Sequence, residues 1–128
     1  MRFPTSAALA ACLFAGAACQ SATVHGPDGT SLTSTTPRSM TLHRGDSAPL
    51  EIGIDRENFT GPVTVSIFQL PHGVLSDKSS IRAETTSATF ILTAGSAADL
   101  VSNQAVGVTV EDPSGRQATQ FVSLTVQD

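Results

Sequence analysis

Apolar side chains at every second position constrain this chain more than any other feature, because only an extended strand sends alternate residues to one face. Leu50, Ile52 and Ile54 alternate with Glu51, Gly53 and Asp55, and Val63, Val65 and Ile67 alternate with Thr64 and Ser66. Ala88, Phe90 and Leu92 are set against Thr89 and Thr93, and Val106, Val108 and Val110 against Thr109 and Glu111. Each run has one face to bury and one to wet, and none has the period of a helix. The last run, Gln117 to Gln127, places Val122, Leu124 and Val126 on one face and Phe121 on the other. A bulge near Thr119 to Phe121 is therefore expected to turn Phe121 inward as well.

Shorter strands near Ser39–His43 and Ser80–Glu84 bring the expected count to about seven. Turn-forming runs divide them: Arg44-Gly45-Asp46, Thr60-Gly61-Pro62, Leu70-Pro71-His72-Gly73 and Asp112-Pro113-Ser114-Gly115. That spacing predicts an all-β fold, a seven-stranded immunoglobulin-like or fibronectin-like Greek-key β-sandwich over residues 38–128. An antibody-type domain is excluded, since the chain has no Trp and no cysteine in that span.

The N-terminus reads as an address. Met1-Arg2 and the run from Ala7 to Ala18, rich in Ala, Leu, Phe and Gly, have the charged start, apolar middle and small-residue end of a secretory signal. The run is shorter than the roughly 20 apolar residues that a permanent span requires. Gly16-Ala17-Ala18-Cys19 resembles the lipobox of bacterial lipoproteins, which implies lipidation at Cys19 and a signal peptide covering residues 1–18. That family prefers Leu, Val or Ile where Gly16 stands; Leu9-Ala10-Ala11-Cys12 fits better but leaves a shorter, interrupted apolar stretch before it. Ordinary cleavage after Ala15-Gly16-Ala17 is the alternative. Processing at Cys19 removes Cys12, so the mature domain is expected to carry no disulfide. Gln20, rather than Asp, after the cysteine implies by the same resemblance sorting to the outer membrane.

Residues 19–37, rich in Ser, Thr, Gly and Pro, are expected to form a flexible tether. Gly26-Pro27-Asp28-Gly29 offers one structured alternative, a small hairpin between Ala22–His25 and Thr30–Thr33.

Three stretches carry a second resemblance: Leu50-Glu51-Ile52-Gly53-Ile54-Asp55-Arg56, Phe59-Thr60-Gly61-Pro62-Val63-Thr64-Val65-Ser66 and Leu70-Pro71-His72-Gly73-Val74. Preceded by Arg44-Gly45, and followed by Ser87 to Leu92 and Val106 to Val110, they resemble bacterial Ig-like modules of the α-galactosidase-associated type. The resemblance implies a spacer or adhesion role, although such modules commonly occur as repeats and this chain holds one copy.

Charge and chemistry narrow the function further. Loss of Arg2 with the leader leaves 6 basic against 11 acidic residues, and the basic ones are scattered singly, so no nucleic-acid partner is expected. His25, His43 and His72 have no spacing suited to a metal, and no nucleophile elbow or phosphate loop is present. No enzyme activity, metal or cofactor is expected. Arg44-Gly45-Asp46 matches the tripeptide integrins read, and Asp55-Arg56-Glu57 echoes a calcium-ligand segment of cadherins; a tight turn and a wet strand face explain them as well.

Glycan binding on sandwiches favours exposed Trp or Tyr, and the chain has neither. Phe59 and Phe68 are left as candidate contact residues in one small apolar patch. The expectation is a non-enzymatic cell-envelope lipoprotein that holds an envelope protein or a second copy of itself. Its rival is an accessory surface module for glycan or calcium.

Overall fold

The computed structural model describes residues 19–77 and 80–128, and the expected signal peptide lies outside them. Ten strands run in chain order among the described residues: β1 (Cys19–His25), β2 (Ser31–Pro37), β3 (Ser39–His43), β4 (Ser47–Glu57), β5 (Val63–Phe68), β6 (Val74–Ser76), β7 (Ser80–Ile81), β8 (Ser87–Ala94), β9 (Val101–Glu111) and β10 (Gln117–Gln127). They form two sheets of five, ordered β1-β2-β4-β8-β6 and β3-β10-β9-β5-β7. All pairings are antiparallel except that of β3 with β10, the first and last strands of the second sheet in chain order.

The period-two pattern sets which side chains face in. Leu50, Ile52 and Ile54 of β4, Phe90 and Leu92 of β8, Val106, Val108 and Val110 of β9, and Val122, Leu124 and Val126 of β10 all lie in one core. Phe90 is its largest fully buried side chain and stands directly opposite Leu50 across the β4–β8 pair. Val63 and Val65 are buried, while Ile67 packs at the core's margin.

The strands depart from expectation in three places. Residues 19–37 are not a tether: β1 and β2 form a hairpin in full register from Cys19 opposite Pro37 to His25 opposite Ser31. Strand β2 then pairs with β4, and Leu32 is fully buried. The turn is the one that Gly26-Pro27-Asp28-Gly29 can make, with Pro27–Gly29 forming a single 3₁₀ turn. The short strand β6, which follows the Leu70 to Gly73 turn, extends the first sheet beside β8. Finally, β7 stops at Ile81, because Arg82 to Thr85 closes a turn with Thr85 N donating to Arg82 O at 3.2 Å.

The polar composition of β2 hid its burial. Ser34 and Thr36 are fully buried, and Ser34 Oγ donates to Gln120 Oε1 of β10 at 2.7 Å, a polar bridge between the sheets. Gln20 adds to the seam, its amide donating to Thr36 Oγ1 at 3.2 Å and to the backbone oxygen of Phe121. Buried hydroxyls and amides are tolerated when they bond one another, so this flank of the sandwich closes with few apolar side chains. The chain crosses from the first sheet to the second at Pro37-Arg38, where Ser123 N donates to Arg38 O at 2.8 Å.

Phe121 does not turn inward. The strand runs without a bulge from Gln117 to Leu124, the irregularity falling between Leu124 and Val126, so Phe121 stays on the outer face and is 49% exposed. The inward positions are Ala118, Gln120 and Val122, all buried.

Candidate interaction surfaces

Three connections meet at one end of the sandwich. Between β1 and β2, Gly26 N donates to Thr30 O at 2.9 Å and the Thr30 hydroxyl to Pro27 O at 2.9 Å. Between β4 and β5, Asn58 takes a left-handed conformation, φ 62°, and its side-chain amide donates to Gly29 O at 2.8 Å, tying the two connections together. In the β9–β10 hairpin, Asp112 Oδ1 accepts from Ser114 N at 2.9 Å, Ser114 Oγ at 2.7 Å and Arg116 N at 2.9 Å. The Asp112 side chain is only 9% exposed. Burial pushes its pKa up, but the bonds from Ser114 and Arg116 and the Arg116 charge outweigh it and hold the carboxyl below its ordinary value.

Arg56 locks the same end from within. Its guanidinium donates to Gly61 O at 2.8 Å, Thr85 O at 2.6 Å and Arg82 O at 2.9 Å. Desolvation lowers its pKa, with the charge of Glu84 pulling the other way. Its neighbour Glu57 accepts from Ser31 Oγ at 3.0 Å. The Asp55-Arg56-Glu57 segment thus spends its arginine on loop carbonyls. Among the described residues no three His, Cys, Asp or Glu side chains gather as a metal site.

Between these connections lies a cavity of about 250 Å³, with Pro27, Phe59 and Pro113 supplying its apolar wall and Thr60 and Arg116 its polar margin. Arg116 packs against Gly26, where any side chain would collide with the guanidinium, and Pro113 packs against Gly61. Phe59 is half-buried, touching the core on one side and the cavity on the other.

Phe68 lies elsewhere. It stands on the outer face of β5, directly opposite Gly107 of β9, which in turn stands opposite Phe121 of β10. The two rings meet edge to face, centroids 6.0 Å apart and planes at 78°, over a glycine that a methyl group could not replace without striking the Phe68 ring. Phe68 is 38% exposed, so its outward placement matches expectation. The single patch expected for Phe59 and Phe68 does not form: the structure sends Phe59 to the end cavity and gives Phe68 a different companion. Phe121 is hidden from sequence reasoning by the expected bulge, although strict alternation through Ala118, Gln120 and Val122 is the signal that places it outside. Pro27, Pro113 and Arg116 are legible as turn residues, but nothing in their spacing tells that the turns converge.

The remaining motifs resolve as local structure. Arg44 folds back, its Nε donating to Ala98 O at 2.8 Å and its Nη1 lying 3.3 Å from Asp128 Oδ1. Gly45 sits at φ +80° and Asp46 N donates to His43 O at 3.0 Å, so Arg44-Gly45-Asp46 is a tight turn with its arginine engaged. His25, His43 and His72 are exposed on three separate elements. Cys19 opens β1 and is disulfide-bonded; Cys12, the other cysteine of the sequence, lies outside the described residues. Lipidation at Cys19 and that bond exclude one another, since both use the same sulfur.

The fold is thus that of an all-β protein with two stacked sheets, and its surface features are an end cavity and an outward aromatic pair. No family model matches the chain, and neither a curated protein nor a solved structure matches it.

Proposed function

We propose that the chain is an exported, lipid-anchored module of the bacterial cell envelope, immunoglobulin-like in topology, that binds another protein and performs no catalysis. Support for the topology comes from β4, β8 and β6 facing β3, β10, β9 and β5, with β3, the first strand of the second sheet, running parallel to its last strand. The β1–β2 hairpin is then an addition on the edge of such a core. Support for export and anchoring comes from the signal-like residues 1–18 immediately before Cys19, with Gln20 after it favouring the outer membrane; the anchored form is one in which the Cys19 sulfur carries lipid in place of the disulfide it makes here.

The observation that carries the binding role is the end cavity. At about 250 Å³ it is smaller than typical ligand pockets, which run from roughly 300 to 1,000 Å³. It suits one apolar side chain of a protein partner. Proline and phenylalanine walls lose little conformational entropy on contact, and Arg116 offers a donor for a carbonyl or carboxylate beside that side chain. The seven residues of β1 separate this end from Cys19, a distance of roughly 20 Å.

Thr60 is exposed at the cavity's mouth. Thr60→Arg should therefore close the cavity without touching the core. In membranes of the source bacterium, chemical cross-linking of the wild-type chain is expected to give a defined adduct with a second protein. Thr60→Arg should abolish that adduct, and Thr93→Arg on the far sheet should leave it. An adduct indifferent to Thr60→Arg would remove the cavity from the binding role.

A further inference from the structure

We infer that the outer face of the β3-β10-β9-β5 sheet rests on a lipid bilayer, with Phe68 and Phe121 entering the headgroup region. The inference deepens the envelope reading above and rests on it. The first ground is where the apolar N-terminal segment ends. Cys19 is opposite Pro37, and the side chain of the next residue, Gln20, reaches the backbone oxygen of Phe121. Whether acyl chains or an uncleaved leader enter the bilayer, the chain emerges beside Phe121. That point is on the flank of the molecule and not at a tip, since β10 continues past it to Gln127. A sandwich held by its flank must lay a neighbouring face toward the membrane.

The second ground is charge. On the face around the aromatic pair, the outward residues are Ser66 and Phe68 of β5, Ala105 and Thr109 of β9, and Thr119, Phe121 and Ser123 of β10, none of them ionisable; β3 adds Ser39, Thr41 and, at its far end, His43, so no carboxylate comes from that strand. Glu111, which closes β9 beside the end cavity, is the nearest carboxylate along that strand. The opposite sheet carries Glu51, Asp55 and Glu57 along β4. An anionic leaflet repels that carboxylate row, whereas exposed phenylalanines gain by entering the boundary between headgroups and acyl chains. A lipid anchor alone leaves orientation open, and a second apolar contact beside it closes that freedom.

The chain has no Trp and no Tyr, so single tryptophans report cleanly. The lipid-bearing protein is reconstituted into phosphatidylethanolamine–phosphatidylglycerol vesicles, with and without brominated acyl chains. Phe68→Trp and Phe121→Trp are expected to show blue-shifted emission that the brominated lipid quenches. Ser66→Trp, on the same face and outside the aromatic pair, provides a third probe if a ring replacement loosens the fold. Thr93→Trp on the outer face of β8 should keep its emission. Protein that floats with vesicles while the probes of Phe68→Trp, Phe121→Trp and Ser66→Trp all stay unquenched would overturn the orientation and leave the anchor standing. The same result with concentration-dependent dimers would assign the face to a second copy of the chain. Failure of the wild-type chain to float would overturn the anchored reading and this inference together.

Discussion

Phe68, Gly107 and Phe121 form one cross-strand row, and the central member is a glycine because the Phe68 ring lies where its Cβ would stand. Aromatic side chains spanning a strand glycine recover packing that the missing side chain forfeits. Gly107→Ala should cost about 1–3 kcal/mol by displacing the Phe68 ring. In a Phe68→Ser background the same substitution should cost much less, a coupling that urea denaturation of the four variants would measure. Equal costs in both backgrounds would mean that the ring is not what excludes a side chain there.

Asp112 makes a second residue-level prediction. Its carboxyl titrates below the ordinary range, so the folded state favours the ionised form. The stabilisation is complete above the unfolded-state value, about 3.9 for Asp, and is lost as pH falls through the lower folded-state value. Asp112→Ala should therefore destabilise at neutral pH by about 1.5–3 kcal/mol, the scale of hydrogen bonds to a charged group. The gap to wild type should narrow only in strong acid. A gap that did not change with pH would show that geometry, and not the charge, is what the turn uses.

Among the elements, the core strands were legible because each obeys one simple rule. Leu50-Ile52-Ile54 and Val106-Val108-Val110 alternate with polar residues, and burial follows that parity. The hairpin β1–β2 broke the rule's premise, since its inward positions include Gln20, Ser34 and Thr36. A strand whose buried face bonds through hydroxyls and amides has the composition of a linker, and only the partner Gln120, 86 residues along the chain, reveals the difference. The turn at Gly26 to Gly29 and the strand pieces beside it, Ala22–His25 and Thr30–Thr33, were readable as an alternative to the tether; the full length of the strands and the burial of β2 were not.

It follows that residues 38–128 are not a self-sufficient domain. Cutting the chain before Arg38 removes Leu32 from the core and bares one edge of β4. An exposed central strand is a template for aggregation. The truncated chain is expected to be insoluble or to lose its cooperative thermal transition, whereas the chain from Cys19 onward should melt in one step. A soluble, cooperative 38–128 fragment would return the hairpin to the status of an appendage.

At the scale of the whole molecule, the loss of the tether changes what anchoring would mean. A disordered spacer of 19 residues would let the domain wander; a chain that is anchored at Cys19 and enters β1 there would keep the sandwich against the bilayer. Cys19→Ser should move the protein from the membrane to the soluble fraction of the envelope with its fold intact, as ultracentrifugation would show. Retention in the pellet would place the anchor elsewhere. The candidate surfaces were only half visible in advance for the same physical reason as the hairpin. Phe59 and Phe68 could be chosen from composition, but their neighbours Pro27, Pro113, Arg116 and Phe121 depend on contacts distant in sequence.

The pairing of β3 with β10 also bears on timing. Sandwich closure joins residues near position 39 to residues near position 123, so β3 has no partner strand until the last one arrives, even though β1, β2 and β4 can pair early. A second sheet wired in this way stays open while the chain is being made, the condition a secretion pore would demand of an exported cargo. On the export reading proposed above, that sheet would close only after release on the far side.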